Sequence, residues 1–573
     1  MKEIMRRFHL ASMGLLLAVL AGCESPTPGE LDPSIRALLS GPLIMQVGEV
    51  EGFQGESSAR FGVEGGPEGS EYILVVSHLS TQGGASVSLT VQADGVSTAP
   101  APAAAVGTEA TPLDPGLEVD DLPGLEDHRF HQWLREQEVE LVEELVGRLP
   151  GGGLNLLLEA APAPAPLPQV GDLLELNVNT LSACEDPIFR EARVEAVSRH
   201  AIVVRDLANP QALDRADFEE IARNFDEKVF PLATRNFGEP AREIGPPRTT
   251  IFYTTAVNEL ASGFGGLIGG FFFARDLFPR TSRDGFQGCP ASNEREMFYM
   301  LTADPAGEHG QAIPVEFIRT RTLTTVVHEH QHLVNASRRI YILGTGNLEA
   351  IWLNEALSHI AEELLFYQES GLSPRMNLDL EDVRANQRRL DAVNAFQVPN
   401  LARYITYLVD PEAHTPIDPQ DGLEVRGASW SFLRYVADQH VTDDADFFFR
   451  LVNTDRQGAA NLRAELGREL PDPLARWSIA NVADDRVSGL ASIHRHPSWN
   501  FRSLLPVLRE DGAFPLTVEG LQPGVPVPVT IRAGSAAHFR LGVAPGERAT
   551  LTLRASGGGA PPATVRGSLV RMR

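Results

Sequence analysis

The sequence predicts an α+β fold in which a mixed sheet is followed by helices, with small all-β modules at both ends. Segments with alternating polar and apolar residues, typical of strands, occur near both ends of the chain and between residues 170 and 255. From about residue 312 to residue 490, apolar residues recur at helical spacing. Because the strands precede the helices instead of alternating with them, the central part is predicted to be α+β.

The length and composition indicate a globular protein of several domains. The 573 residues exceed what one hydrophobic core usually organises, so we expect about two to four domains. Hydrophobic residues make up 43% of the chain and charged residues 22%. The formal net charge is −27, from 49 basic and 76 acidic side chains. Such an acidic surface repels phosphate backbones, which argues against nucleic-acid binding.

The N-terminus has the layout of a signal peptide. Basic side chains among the first seven residues precede an apolar run at 10–20 that is too short to span a bilayer. Residues 20–23 read Leu-Ala-Gly-Cys, which resembles the lipobox of bacterial lipoproteins. We therefore expect export, lipidation of Cys23 and anchoring to a bacterial membrane, and Glu24 behind it favours the outer membrane. The alternative is an ordinary signal peptide followed by a chance cysteine.

Changes in composition divide the chain into six parts. Pro-rich and Gly-rich stretches mark a tether and linkers, and period-two segments mark β modules. In chain order the predicted parts are a lipoprotein signal peptide (1–22), a tether (23–42), a small N-terminal β domain (43–98), Pro/Ala linkers around a charged helical segment (99–169), a catalytic domain (170–510) and a C-terminal β-sandwich-like module (515–573).

Two further cysteines, Cys184 and Cys289, lie in the predicted catalytic domain. An exported protein folds in an oxidising compartment, where pairing is the simplest use of both thiols. The sequence therefore predicts a Cys184–Cys289 disulfide. Two buried free thiols are the alternative.

The segment His328-Glu329-His330-Gln331-His332 has the HExxH pattern of a catalytic zinc site. Residues four apart lie on one face of a helix, so His328 and His332 can bind one zinc ion while Glu329 reaches a water molecule beside it. His330 lies about 200° around the helix from either histidine, since it is two positions from each. We do not expect His330 to bind the same ion.

A second helical run, residues 352–359, offers a third ligand. Glu355 and His359 share one face of this predicted helix. A carboxylate from Glu355 would complete the two-histidine, one-carboxylate set that catalytic zinc sites use.

These motifs resemble those of the gluzincin zinc metallopeptidases. Residues 354–358, Asn-Glu-Ala-Leu-Ser, resemble the third-ligand segment of thermolysin, and residues 352–355 resemble that of the aminopeptidase N group. Residues 269–276 and 292–299 resemble the hyicolysin-type secreted gluzincins. The similarity covers roughly residues 170–460.

The resemblance implies a gluzincin-like, thermolysin-like catalytic domain that hydrolyses peptide bonds. It makes His328, His332 and Glu355 the ligands of one zinc ion and Glu329 the general base that activates water. The implied partners are a protein or peptide substrate, together with the membrane through Cys23. The sequence gives no indication of the oligomeric state.

Two positions depart from the gluzincin pattern. His359 stands where thermolysin has an aspartate that supports a ligand histidine, and Glu362 is a possible substitute. The helix predicted at 426–435 opens with Arg426 where the family often has tyrosine, so the oxyanion donor could be Arg426, Tyr404 or Tyr407. Packing roles for these residues remain equally open.

Two other functions fit the same motifs. One is a non-catalytic surface lipoprotein, of an adhesion type, that has a degenerate metal site and binds a partner through its β modules. The intact Glu329 argues against it, because a purely structural metal site has no use for that carboxylate. The other is a zinc hydrolase of an ester or of a peptidoglycan stem peptide, which would use the same ion and base.

Overall fold

The computed structural model describes residues 42–54, 60–97, 129–147, 149, 153–161, 166–264, 266–283 and 285–573. The predicted signal peptide, the lipidation site Cys23 and nearly all of the predicted tether lie outside these residues. No helix within the described part of the chain has both the length and the apolar character that crossing a membrane requires.

The described residues form strands at both ends of the chain and in its centre. The strands are β1 (Val50–Gln54), β2 (Arg60–Glu64), β3 (Ser70–His78), β4 (Ser86–Asp94), β5 (Leu173–Asn177), β6 (Phe189–Val197), β7 (Ala201–Asp206), β8 (Thr249–Tyr253), β9 (Gly270–Phe272), β10 (Met297–Met300), β11 (Glu519–Gly520), β12 (Val527–Arg532), β13 (Ser535–Val543), β14 (Arg548–Ala555) and β15 (Val565–Arg571).

Most helices follow the central strands. The α-helices are α1 (Arg129–Val142), α2 (Leu154–Ala160), α3 (Arg215–Asn224), α4 (Phe230–Asn236), α5 (Thr255–Phe264), α6 (Val315–Ser337), α7 (Ile351–Ser370), α8 (Leu380–Val383), α9 (Gln387–Phe396), α10 (Val398–Val409), α11 (Leu423–His440), α12 (Asp444–Val452), α13 (Gly458–Leu466), α14 (Pro471–Ala483) and α15 (Phe501–Leu504).

The strands from the two ends of the chain form one β-sandwich, not two separate modules. One sheet has the order β1-β15-β3-β13-β11 and the other has the order β12-β4-β14-β2. Their inner faces share one apolar core, to which Leu74, Val91, Phe539 and Leu551 belong. The expectation of an N-terminal module at 43–98 and an independent C-terminal module at 515–573 is therefore corrected, because the strand pairs join the two segments.

The central domain contains the predicted mixed sheet. Its order is β5-β6-β7-β8-β10-β9, with parallel pairs at β7/β8 and β8/β10 and antiparallel pairs elsewhere. The short strand β9 forms one edge and packs against α6. The predicted disulfide is present, and it links Cys184 with Cys289 across 105 positions of sequence.

Helix α1 is part of the central domain and not a spacer inside a linker. Phe130, Leu134 and Val142 are fully buried in the same apolar core as the helices that follow the sheet. A π-helical turn at Glu143–Gly147 continues α1 and buries Val146 in that core. The helical segment was expected from sequence, but its placement among linkers at 99–169 was wrong.

Candidate metal centre

Helix α6 brings His328 and His332 together on its buried side. The two residues are one turn apart, and their Nε2 atoms are 3.1 Å from each other. His330 points the opposite way, as expected, and its ring packs edge-on against Phe225 at 4.9 Å. Burial lowers the pKa of His330 to about 3, so this residue is a neutral core histidine.

Helix α7 runs beside α6 and places Glu355 opposite the two histidines. Its Oε2 atom lies 3.4 Å from Nε2 of His328, and its Oε1 atom lies 3.5 Å from Nε2 of His332. His332 and Glu355 are fully buried, and His328 is 6% exposed. The three side chains thus present two imidazole nitrogens and a carboxylate to one point.

The chemistry and spacing of these donors fit a zinc ion. Three ligands about 2.05 Å from a zinc ion at tetrahedral angles would lie about 3.3 Å from one another, close to the separations between these donor atoms. Neither oxygen of Glu355 has a hydrogen-bond partner among the described residues, although both are buried. Arg426 and Arg135 approach these oxygens only at ion-pair distances of 3.3 and 3.5 Å, so a cation at this position would satisfy buried oxygens that lack a hydrogen bond.

Positive charges keep Glu355 ionised in spite of its burial. Burial alone would raise its pKa, but Arg426 and the two histidines hold the pKa well below its usual range. The Nη2 atom of Arg426 lies 3.3 Å from Oε2 of Glu355. Arg426 also binds both carboxylate oxygens of Asp421, at 2.8 and 2.5 Å, which fixes its orientation.

Glu362 lies two turns beyond Glu355 on the same face of α7, and it supports the first histidine. Its Oε1 atom lies 2.7 Å from Nδ1 of His328, and its Oε2 atom lies 3.2 Å from Nδ1 of His359. A carboxylate on Nδ1 directs the other ring nitrogen toward a metal. Glu362 thus occupies the supporting position that the sequence assigned to it or to His359, and His359 lies behind it.

Ser358 makes the corresponding contact to the second histidine. Its Oγ atom lies 3.2 Å from Nδ1 of His332 and donates a 2.6 Å hydrogen bond to Oε1 of Gln331. With its proton given to Gln331, the hydroxyl can accept a bond from Nδ1 of His332. In this tautomer Nε2 of His332 carries no proton, so its lone pair can bind a metal ion.

Glu329 is held by the edge strand of the sheet. The backbone N–H of Phe272 in β9 donates a 2.8 Å hydrogen bond to Oε2 of Glu329. Burial raises the pKa of Glu329, while the charges of His328 and Arg135 oppose that rise. The carboxylate thus has a fixed position beside the two histidines.

Helix α1 contributes a buried arginine that is not among the predicted site residues. Arg135 pairs with Glu138 at 2.5 Å, and it lies 3.5 Å from Oε1 of Glu355 and 3.9 Å from Oε2 of Glu329. Glu138 in turn accepts a 2.6 Å hydrogen bond from the N–H of Ala274. Burial raises the pKa of Glu138 to about 7 although Arg135 opposes the rise.

A sequence signal for this contribution does exist in α1. Phe130, Leu134 and Val142 define the apolar stripe of the helix, and Arg135 and Glu138 lie inside that stripe. A charged pair within a buried stripe needs partners from elsewhere in the fold. That pattern was the available indication of a polar site facing α1.

The site opens into a cleft of about 150 Å³. Its lining includes residues of α6 between Phe317 and Glu329, together with Gly269 and Gly270. The other helices contribute His131, Glu362, Ala395, Pro399, Arg403, Leu423 and Arg426 to the lining.

Two of the proposed oxyanion donors lie elsewhere. Tyr404 is fully buried and donates a 2.7 Å hydrogen bond to Oδ1 of Asn481, outside the cleft lining. Tyr407 is also buried, with its ring stacked on Trp477. Both tyrosines are packing residues, which corrects the expectation for Tyr404. Arg426, the third candidate, does line the cleft.

The fold and the site define an α+β protein with a buried two-histidine, one-glutamate group that could hold a metal ion. Over 146 residues, 26% of this chain, the sequence is 27% identical to the neutral metalloprotease ShpI of Staphylococcus hyicus. The match spans 30% of that relative's length. No protein-family model matches the chain. A part of this protein is thus distantly similar to a metalloprotease.

Proposed function

We propose that this protein is a zinc-dependent peptidase of the gluzincin type, exported and anchored to a bacterial membrane through lipidated Cys23. The observation that supports the activity most directly is the convergence of His328, His332 and Glu355 at zinc-ligand spacing, with Glu329 beside them. The partial similarity to a neutral metalloprotease supports a peptide substrate. The lipobox-like sequence at 20–23 supports the anchor.

The proposed roles follow from the contacts of each residue. A zinc ion held by His328, His332 and Glu355 would act as a Lewis acid and lower the pKa of a water molecule. Glu329 would take the proton of the attacking water, on the oxygen that Phe272 does not hold, and deliver it to the leaving amine. Arg426 would donate a hydrogen bond to the carbonyl oxygen.

The proposal is tested by comparing wild type with Glu329→Gln. The two measurements are the zinc content of each protein and its hydrolysis of a mixed protein substrate. We expect one bound zinc ion in both proteins, with activity reduced roughly a hundredfold or more in the variant. Glu316→Gln, at the exposed start of the same helix, is the matched control and should keep full activity. Equal activity in Glu329→Gln and wild type would contradict the mechanism.

Two outcomes would identify the alternative functions. A folded preparation that contains no zinc, and takes up none when it is added, would point to a non-catalytic lipoprotein. A zinc-loaded protein that hydrolyses an ester or a peptidoglycan stem peptide, but no protein, would be a hydrolase of another substrate.

A further inference from the structure

The outward-facing backbone groups of β9 define where an extended peptide can bind beside the metal centre. The N–H and carbonyl groups of Phe272 both point away from β10, since they bind Glu329 and Arg135. Groups two residues apart on an antiparallel strand point the same way, so those of Gly270 also face outward. Gly270 lines the cleft. An added peptide strand could therefore pair with the Gly270 end of β9.

The other end of this edge is already occupied by side chains of α1. Arg135 donates a 3.4 Å hydrogen bond to the carbonyl of Phe272, and Glu138 accepts one from the N–H of Ala274. These two side chains take the places that a peptide backbone would need in order to continue past Phe272. His131, from the same helix, lines the cleft.

Helix α1 is built into the protein as a fixed wall. Phe130, Leu134 and Val142 are fully buried against the central core, and Arg135 and Glu138 are 2% and 1% exposed. Moving the helix away would expose this apolar surface and separate a buried ion pair, both of which are strongly unfavourable. We therefore expect α1 to stay packed over this end of β9 in the folded protein.

At the Gly270 end of β9, the lack of side chains leaves room beside α6. A Cβ atom at Gly270 would lie 2.9 Å from the Thr325 side chain, and one at Gly269 would lie 3.0 Å from the hydroxyl of Thr325. The absence of side chains at both positions lets β9 approach the helix. The residues of α6 that line the cleft extend from Glu329 beside the metal centre to Phe317, about three turns earlier in the helix.

We propose that the cleft accepts a peptide on one side of the reacting centre only, so that the protein cleaves bonds next to a chain end. This inference rests on the proposed peptidase function and narrows its substrate class to free peptide ends. The helix that closes the cleft acts as the element that determines specificity.

The test compares one linear peptide with its N-acetylated form, its C-amidated form and its head-to-tail cyclic form. With the zinc-loaded full-length protein, mass spectrometry should show residues released from one end of the linear peptide. Blocking that end should slow release about tenfold or more, and the cyclic peptide should stay intact. The two blocked forms identify which chain end the protein recognises.

Binding to the Glu329→Gln variant gives a measurement that needs no hydrolysis. In competition against a fluorescent linear peptide, the unlabelled linear form should bind about tenfold or more tightly than the cyclic form. Equal binding of the two forms, or early cleavage at internal bonds, would overturn the inference while leaving the peptidase proposal intact. Failure to hydrolyse any of these peptides or a protein would overturn both.

A pair of variants at His131 tests the position of the wall. His131→Ala shortens the side chain at the closed end, so the main cut should move one residue further from the chain end. His131→Phe keeps a ring of similar size and should cut where wild type does. An unchanged cut site in His131→Ala, with both variants folded and zinc-loaded, would overturn the assignment of α1 as the end wall.

Discussion

The Nδ1 atom of His328 lies 2.7 Å from Oε1 of Glu362, across the contact between α6 and α7. The second oxygen of Glu362 lies 3.2 Å from His359, so the carboxylate is held between two imidazole rings. This arrangement keeps Nε2 of His328 directed at His332 and Glu355. The orientation of a predicted ligand is thus set by a residue on another helix.

Glu362→Ala should weaken zinc binding by roughly tenfold to a hundredfold, because the His328 ring loses the partner that fixes its orientation and tautomer. Competition with a chelator of known affinity measures the change. Glu369→Ala, on the same helix but paired with Lys228 near the surface, should bind zinc as wild type does. Equal zinc affinities in the two variants would show that Glu362 does not support the site.

The convergence of His328, His332 and Glu355 was predictable from sequence because its pattern is local. His328 and His332 are one helical turn apart, and Glu355 lies on a second, almost entirely buried helix soon after them. Two antiparallel neighbouring helices with apolar faces place such residues together. The pattern also separated His330 from the group, since residues two apart face different directions.

The contribution of α1 could not be located in the same way. Arg135 reaches Glu329 and Glu355 across about two hundred positions of sequence, and no helical or strand period relates residues that far apart. The low-complexity residues on both sides of the helix also suggested a linker. Only the packed fold shows that this helix covers the edge of the sheet.

Arg135→Met should lower the stability of the metal-free protein by about 3 to 5 kcal/mol, since Glu138 and Glu355 would lose a buried positive charge. Adding Glu138→Gln to that variant removes one unpaired charge and should restore part of the loss. Chemical denaturation measures the free energy of unfolding of wild type, the single variant and the double variant. Arg215→Met, which breaks an exposed pair with Glu219, is the control and should cost under about 1 kcal/mol.

The outcome of the double variant separates two explanations for Arg135. If Glu138→Gln lowers stability further in the Arg135→Met background, the arginine acts mainly through packing of its apolar stem. Recovery of stability instead supports charge neutralisation as its role.

The buried carboxyl group of Glu363 should make the free energy of unfolding depend on pH. Burial raises its pKa to about 7 although Arg434 opposes the rise, while the ordinary value is 4.5. The folded protein thus holds this proton more tightly than the unfolded chain does. The free energy of unfolding should fall between about pH 4.5 and pH 7, with roughly 3 kcal/mol lost in total, and no further loss from this group above pH 7.

Glu363→Gln should remove that part of the pH dependence, because an amide does not titrate in this range. The fold should be kept, since the amide oxygen can still accept the 2.6 Å hydrogen bond from Trp499. The measurement is the difference in unfolding free energy between variant and wild type from pH 4 to pH 8. The variant should become more stable relative to wild type as the pH rises. Glu140→Gln, at an exposed position, should show no such trend, and a flat difference for Glu363→Gln would contradict the prediction.

The terminal strands show a second limit of sequence patterns. Strands β3, β4, β12 and β14 were predicted from their period-two segments, but the period does not state which strand pairs with which. In the two sheets, β1, β2, β3 and β4 each pair with strands from the C-terminal segment and not with one another. Two apparent modules are therefore halves of a single sandwich.

A single substitution in β14 tests this shared sandwich in the full-length chain. Leu551 is 1% exposed and lies opposite Phe61 of β2 and Ala93 of β4. Leu551→Asp places a charge in the common core, so hydrogen exchange should accelerate in the N-terminal strands β2 and β4 as well as in β14. Arg554→Asp, at an exposed position of the same strand, should leave exchange unchanged. If only the C-terminal strands lose protection in Leu551→Asp, the two ends of the chain fold as separate units after all.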